Sequence, residues 1–285
     1  MTLAAIPRRP LGRTGFEATL FSLGGEGVLR TYGKDAEAVS VIERALEQGV
    51  NYFDTAPAYA GSRDYYGLVL GDLGPRRKDI FLASKTHDRT RDGSLLLLDD
   101  SLRRLRTDYL DLWQLHDLRT MDDLQRIFAR GGAMEALLEA RSQGRVRFFG
   151  ITGHHDPAIL LEAMRRFEFD TVLVALNAAD VHRLPFSKTV LPEAARKNMG
   201  VIAMKVGAAG RLVGPGGLSM DQALGYVLSL PGVSNAIIGC WTPAEVDDNA
   251  RAARQFSAMN EDERKRLEQL TLRHAADLTY YKRPM

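Results

Sequence analysis

The chain has 285 residues, of which 45% are hydrophobic and 26% charged, an ordinary make-up for a globular protein. A formal charge of +2 is too near neutral for a partner that is a nucleic acid or an anionic membrane. A single cysteine, Cys240, excludes an internal disulfide, and Met1 to Gly12 carries Arg8 and Arg9 where a leader needs an apolar run, so a cytoplasmic protein without a membrane span is expected.

Arg9 to Leu20 reads as a small hairpin turning at Arg13-Thr14-Gly15. Phe21 to Gly25 is a buried strand that runs out into Gly24 and Gly25. Asp35 to Gln48 follows with Ala38, Val41, Ile42 and Ala45 on one face, the spacing of an amphipathic helix. The alternation then repeats. A strand at Asn51–Asp54 precedes a helix at Ser62–Leu70, with Ser62 as its expected N-cap. Ile80–Ser84 precedes Ser94–Leu105, and Tyr109–Leu115 precedes one long helix, Met121–Ser142. Strands at Val146–Thr152, Thr171–Leu176, Gly200–Met204 and Asn235–Ile238 precede helices at Pro157–Arg166, up to Lys197, Asp221–Ser229 and Pro243–Ala253.

Eight strand–helix pairs with short apolar strands predict a parallel sheet covered by helices, which at this length fits a (β/α)8 TIM barrel spanning residues 1–285 as one domain. A doubly wound open sheet is the rival, but no linker or composition shift divides the chain. The N-terminal β-hairpin is expected to plug the barrel bottom. Asn260–Leu272 and the tail to Met285 form a C-terminal helical extension, with Tyr280 and Tyr281 either folded over the barrel mouth or disordered.

Functional groups of such barrels sit at the C-terminal strand ends. Asp54 ends the second strand, Tyr59 follows in its loop, Lys85 ends the third strand and His116 the fourth. Neighbouring parallel strands lie about 4.8 Å apart, so these groups share one pocket. A buried Asp54–Lys85 ion pair with a packed His116 is the structural alternative, though lysine is rarely buried without a role. Chemically, an ammonium at Lys85 would lower the Tyr59 pKa, Asp54 would hold Lys85, and His116 would orient a substrate oxygen. That set suits proton donation to a developing alkoxide, with the hydride supplied by a nicotinamide cofactor. Glycine suits a close backbone approach to phosphate, which marks Lys205, Gly207 and Gly210, with Arg211, as a pyrophosphate loop; a flexible surface loop fits that run equally well. His154 and His155 lie near His87, His116 and Asp117, but adjacent histidines at a strand end should point apart, and no metal-ligand motif is present.

Phe53-Asp54-Thr55-Ala56-Pro57-Ala58-Tyr59, Ser101-Leu102-Arg103-Arg104-Leu105 with Thr107-Asp108-Tyr109-Leu110-Asp111-Leu112 and His116, and Pro243 with Asp248-Asn249 together resemble the aldo-keto reductase family over nearly the whole chain. The resemblance implies that Tyr59 is the general acid, that Lys85 and Asp54 tune it, and that His116 orients the carbonyl. It implies NADP(H) or NAD(H) as cofactor and a small-molecule carbonyl or alcohol as substrate, in a monomer or small homo-oligomer. It places the cofactor against Gly24, Gly25, Asp54, Thr152, Asn177, Lys205, Gly207, Gly210, Gly239, Asp248 and Asn249. The family's Ser-Asn pair for the nicotinamide amide reads Thr152-Gly153 here, and its glutamine falls at Leu173, leaving His154 or a backbone group to compensate. Gly239 and Glu245 stand at positions that are basic in the family, which erodes recognition of a 2′-phosphate. A nucleotide-binding regulatory or interaction subunit with weak turnover is the alternative.

Overall fold

The computed structural model describes residues 4–214 and 216–282; the expectations for the first three residues and for the tail beyond 282 fall outside them. Strands β1 (Arg8–Pro10) and β2 (Glu17–Thr19) form the antiparallel hairpin. Eight parallel strands follow: β3 (Phe21–Gly27), β4 (Tyr52–Asp54), β5 (Phe81–Thr86), β6 (Leu110–Leu115), β7 (Val146–Gly153), β8 (Thr171–Ala175), β9 (Gly200–Met204) and β10 (Val233–Cys240). They pair in chain order, and β10 closes back onto β3 as a barrel. Helices α1 (Asp35–Glu47), α2 (Ser62–Leu70), α3 (Arg91–Leu105), α4 (Met121–Phe128), α5 (Ala133–Ser142), α6 (Pro157–Arg166), α7 (Phe186–Arg196), α8 (Met220–Leu228) and α9 (Pro243–Arg254) intervene, and α10 (Glu261–Leu272) and α11 (Ala275–Leu278) extend the chain. No helix among the described residues is long and apolar enough to cross a membrane.

Two apolar layers result from the two-residue period of the strands. Tyr52, Phe81, Ala83, Leu112, Leu173, Ile202 and Met204 point into the barrel. Phe53, Leu82, Trp113, Phe149, Val172 and Val201 point out and meet the helices. The hairpin closes the bottom, as expected: Leu11 is fully buried in the inner cluster, and Phe16 packs on Phe81 with ring centroids 4.8 Å apart. Leu11 fits because Gly200 lacks a side chain, since a Cβ there would stand 2.7 Å from the leucine Cδ1.

Two local expectations are corrected. The single helix over Met121–Ser142 is two, because Gly131 adopts φ +74 and a Cβ on Gly132 would lie 2.4 Å from the Arg126 and Ile127 carbonyl oxygens. Periodicity continued across the break because α4 and α5 both bury apolar faces. Ser62 is not the N-cap of α2; that position is Gly61, and the Ser62 hydroxyl accepts a hydrogen bond from Thr55 Oγ1 at 2.9 Å. The serine therefore ties the helix to the end of β4.

Candidate active site

The inward column of each strand continues upward into polar residues. Above Tyr52 comes Asp54, above Phe81 and Ala83 comes Lys85, and above Leu112 come Gln114 and His116. Register aligns Asp54 with Ala83 and Lys85 with Gln114, which brings the column tops together. The Lys85 ammonium contacts the Asp54 carboxylate and donates to the Thr55 carbonyl at 2.9 Å. Gln114 Nε2 donates weakly to the other Asp54 oxygen at 3.4 Å. Both members of the ion pair are fully buried. Burial pushes Asp54 up and Lys85 down, opposed by their mutual attraction.

Tyr59 lies directly above. Its ring faces the Lys85 ammonium at 4.8 Å and the Arg30 guanidinium at 5.2 Å, and His116 meets it edge-on at 5.7 Å. The four predicted catalytic side chains are therefore together. The electrostatics differ from expectation: burial, then Asp54, raises the Tyr59 hydroxyl well above its usual value. The cation that opposes this rise is Arg30, and it does not outweigh burial. His116 is held well below the usual imidazole value by burial and by Lys85, so it is neutral at neutral pH.

A cleft of about 720 Å³ opens over this group. Of the residues expected against a cofactor, Gly24, Gly25, Asp54, Lys205, Gly207, Gly210, Gly239, Asp248 and Asn249 line it. Gly25 is required by packing, since a Cβ would stand 2.6 Å from Ser62 Oγ and 2.9 Å from the Tyr59 ring. After β9 the loop turns back on itself, with positive φ at Lys205, Ala208, Ala209 and Gly210. Thr152 and Asn177 are not brought to the cleft wall. The Thr152 hydroxyl accepts from the Asp117 amide at 2.7 Å. Asn177 Nδ2 donates to the Lys205 carbonyl and the Tyr281 hydroxyl, both at 3.0 Å, while its Oδ1 accepts from the Ala179 and Asp180 amides.

Glu26, Arg30, Met220 and Val213 also line the cleft and were missed. The glycines of β3 hinted that the chain continues along the wall, but nothing in the sequence aims Arg30 at Tyr59. The described tail packs against the barrel: Tyr280 reaches the cleft, and buried Lys282 pairs with Asp180 and donates to the Arg183 and Leu184 carbonyls at 2.7 Å. Arg211 stacks on Tyr280 at 4.3 Å instead of lining the cavity. Cys240 is buried, and burial pushes its thiol up to about 12.

The two strand-end histidines converge instead of diverging. His154 Nδ1 lies 3.1 Å and His155 Nε2 3.4 Å from the same Asp117 oxygen. Strand β7 has ended at Gly153, so strand alternation no longer separates them. Burial would raise Asp117, but His155, His154 and Arg119 outweigh it and hold the carboxylate well below its usual range. Burial pushes His154 down to about 3. Among the described residues, no three His, Cys, Asp or Glu side chains are grouped to hold a metal ion.

The depressed His154 gives a pH prediction. An unfolded chain protonates this ring at about 6.5 while the folded one resists until about 3. Its contribution to stability is thus complete above about pH 6.5 and is lost as pH falls. In His154→Asn, the loss of unfolding free energy between pH 6 and 4 should be shallower than in the wild type by up to about 1.4 kcal/mol per pH unit. Urea denaturation across that range measures it; parallel pH profiles would refute it.

The cleft residues fit a dinucleotide. Asn249 lines the cleft, and its buried Oδ1 has no hydrogen-bond partner among the described residues, an acceptor left over for a bound group, while its Nδ2 donates to Cys240 Sγ at 3.4 Å. The aldo/keto reductase family model matches residues 20–217. An uncharacterized oxidoreductase, YqkF of Bacillus subtilis, is 26% identical over 93% of this chain and 96% of its own. L-galactose dehydrogenase of Arabidopsis thaliana is 27% identical over 92% of each chain. In fold, the holo form of the aldo-keto reductase AKR11C1 from Bacillus halodurans superposes with a TM-score of 0.78 at 23% identity, covering 93% of this chain and 96% of that one.

Proposed function

The chain belongs to the aldo/keto reductase family, and from that premise we propose that it reduces a small aldehyde or ketone to an alcohol with NADPH or NADH. The observation that carries this reading is Tyr59 standing over the buried Asp54–Lys85 pair with neutral His116 against its edge. The cofactor, when bound, supplies the hydride that reaches the carbonyl carbon. Tyr59 gives its hydroxyl proton to the developing alkoxide, and solvent restores it. A raised pKa keeps that hydroxyl protonated beforehand, the state a donor needs, which favours reduction. His116 offers an N–H to the substrate oxygen. Lys85 and Asp54 set the position and potential beneath the ring without exchanging the proton.

Beside His116 a second cavity of about 370 Å³ is lined by His87, Arg89, Asp117, Arg119, Thr120 and Asp123. Arg89 pairs with Asp123 at 2.9 Å and Arg119 with Asp117 at 2.6 Å, so its charges are matched. This supports a neutral, polar carbonyl substrate.

At the other end of the cleft, Glu245 accepts from the Trp241 amide at 2.8 Å, Asp248 is close by, and Arg251 is drawn to Asp221 at 3.1 Å. Two carboxylates there oppose a 2′-phosphate. Glu245→Arg should therefore tighten NADPH relative to NADH by about tenfold, one charge reversal at short range; an unchanged ratio in fluorescence titrations would remove Glu245 from the discrimination. The function itself is tested by titrating the protein with NADPH and NADH, then following loss of reduced nicotinamide absorbance with a panel of aldehydes and ketones. Saturable binding with turnover is expected. Binding with no turnover on any carbonyl would favour a regulatory nucleotide-binding role.

A further inference from the structure

We propose that His154, positioned by Asp117, binds the carboxamide of the nicotinamide ring by accepting a hydrogen bond from its NH2 group at Nε2. This rests on the reading that the cleft takes a nicotinamide dinucleotide. His154 lines the same cavity as Asp54, Tyr59 and Lys205, so it borders the space where a ring must lie to deliver hydride beside Tyr59.

The rest follows from which groups are already engaged. Thr152 stands off the cleft wall with its hydroxyl accepting from the Asp117 amide, Gly153 has no side chain, and Asn177 has its whole amide engaged by Lys205, Tyr281, Ala179 and Asp180. His154 is the polar side chain left at the top of β7 and β8 facing the cleft. Its Nδ1 is 3.1 Å from Asp117 Oδ1, and a carboxylate oxygen only accepts, so Nδ1 carries the proton. Nε2 is then a bare acceptor, and among the described residues no hydrogen bond reaches it. Burial keeps the ring neutral.

Asp117 is built to hold that tautomer. Its amide donates to Thr152 Oγ1, its backbone takes φ +52, and its Oδ2 is held by Arg119 while Oδ1 faces the histidines. A bare acceptor welcomes an amide N–H and rejects a carboxylate. The site should therefore distinguish a nicotinamide from a nicotinic acid ring, a choice no other assigned residue makes.

The test measures dissociation constants, by calorimetry on the intact chain, for three probes: NAD+, its nicotinic acid analogue, and ADP-ribose, which lacks the ring. The wild type should bind NAD+ about tenfold more tightly than the nicotinic acid form. In His154→Leu that ratio should fall to near one, with ADP-ribose affinity unchanged, which also shows the variant folded. In Asp117→Asn the amide oxygen stays against Arg119 and its NH2 turns to His154, moving the ring proton to Nε2, so the ratio should again fall. Retention of the wild-type ratio in His154→Leu, or an equal loss on all three probes, would overturn the assignment. An unchanged ratio in Asp117→Asn alone would overturn the tautomer. A wild type that binds none of the three would instead defeat the nucleotide reading on which the inference rests.

Discussion

Tyr59→Phe leaves nucleotide binding intact and lowers carbonyl turnover by about 10²- to 10⁴-fold, the usual worth of a positioned general acid. The phenyl ring keeps every packing contact that holds the loop after β4. It still lies 9% exposed between the Lys85 and Arg30 cations, edge-on to His116. What disappears is one proton at the top of the pocket. The loss should fall on kcat, with KM little moved, because the hydroxyl acts on charge that develops only in the transition state. Fluorescence titration and initial rates on the same preparation measure both. Undiminished turnover would take the acid role away from Tyr59 and leave the Asp54–Lys85 pair as a structural device.

Lys85→Met is the largest expected effect on stability. It strands Asp54, which is fully buried, with Gln114 as its remaining side-chain donor at 3.4 Å. Removing one member of a buried pair costs about 3–5 kcal/mol. The stranded carboxyl escapes by holding a proton, so its folded pKa rises further above the unfolded value. A group raised in this way stabilises the fold at low pH and withdraws that contribution as pH rises through the folded pKa. The deficit of Lys85→Met against the wild type should therefore be smaller at pH 4 than at pH 7. Adding Asp54→Asn removes the stranded charge and should restore most of the stability, since a neutral buried pair of similar volume is often tolerated. Turnover should not return with it, because Tyr59 then lacks the charged floor beneath its ring. Urea denaturation of the single and double variants at both pH values measures this; a double variant as unstable as Lys85→Met would show that the pair is not the origin of the loss.

The strand alternation and the polar column above it were written locally. Tyr52 and Asp54, then Phe81, Ala83 and Lys85, then Leu112, Gln114 and His116, share one parity each, and a two-residue period needs no knowledge of the rest of the chain. Short apolar runs separated by amphipathic helices likewise specify a parallel sheet covered on both faces, and eight such units with no break in composition favour its closing into a barrel over a doubly wound open sheet. What depended on distant partners was not legible. Whether Asn177 faces a ligand or the tail was settled by Tyr281, 104 residues away. Where the described tail packs was settled by buried Lys282 reaching Asp180 and two carbonyls before α7. Arg30 over Tyr59, and His154 and His155 on one Asp117 oxygen, are likewise meetings of loops whose directions no local pattern carries. The sign of the Tyr59 shift belongs to this second group: a neighbouring lysine suggested a lowered value, and burial, a property only the packed molecule has, raised it.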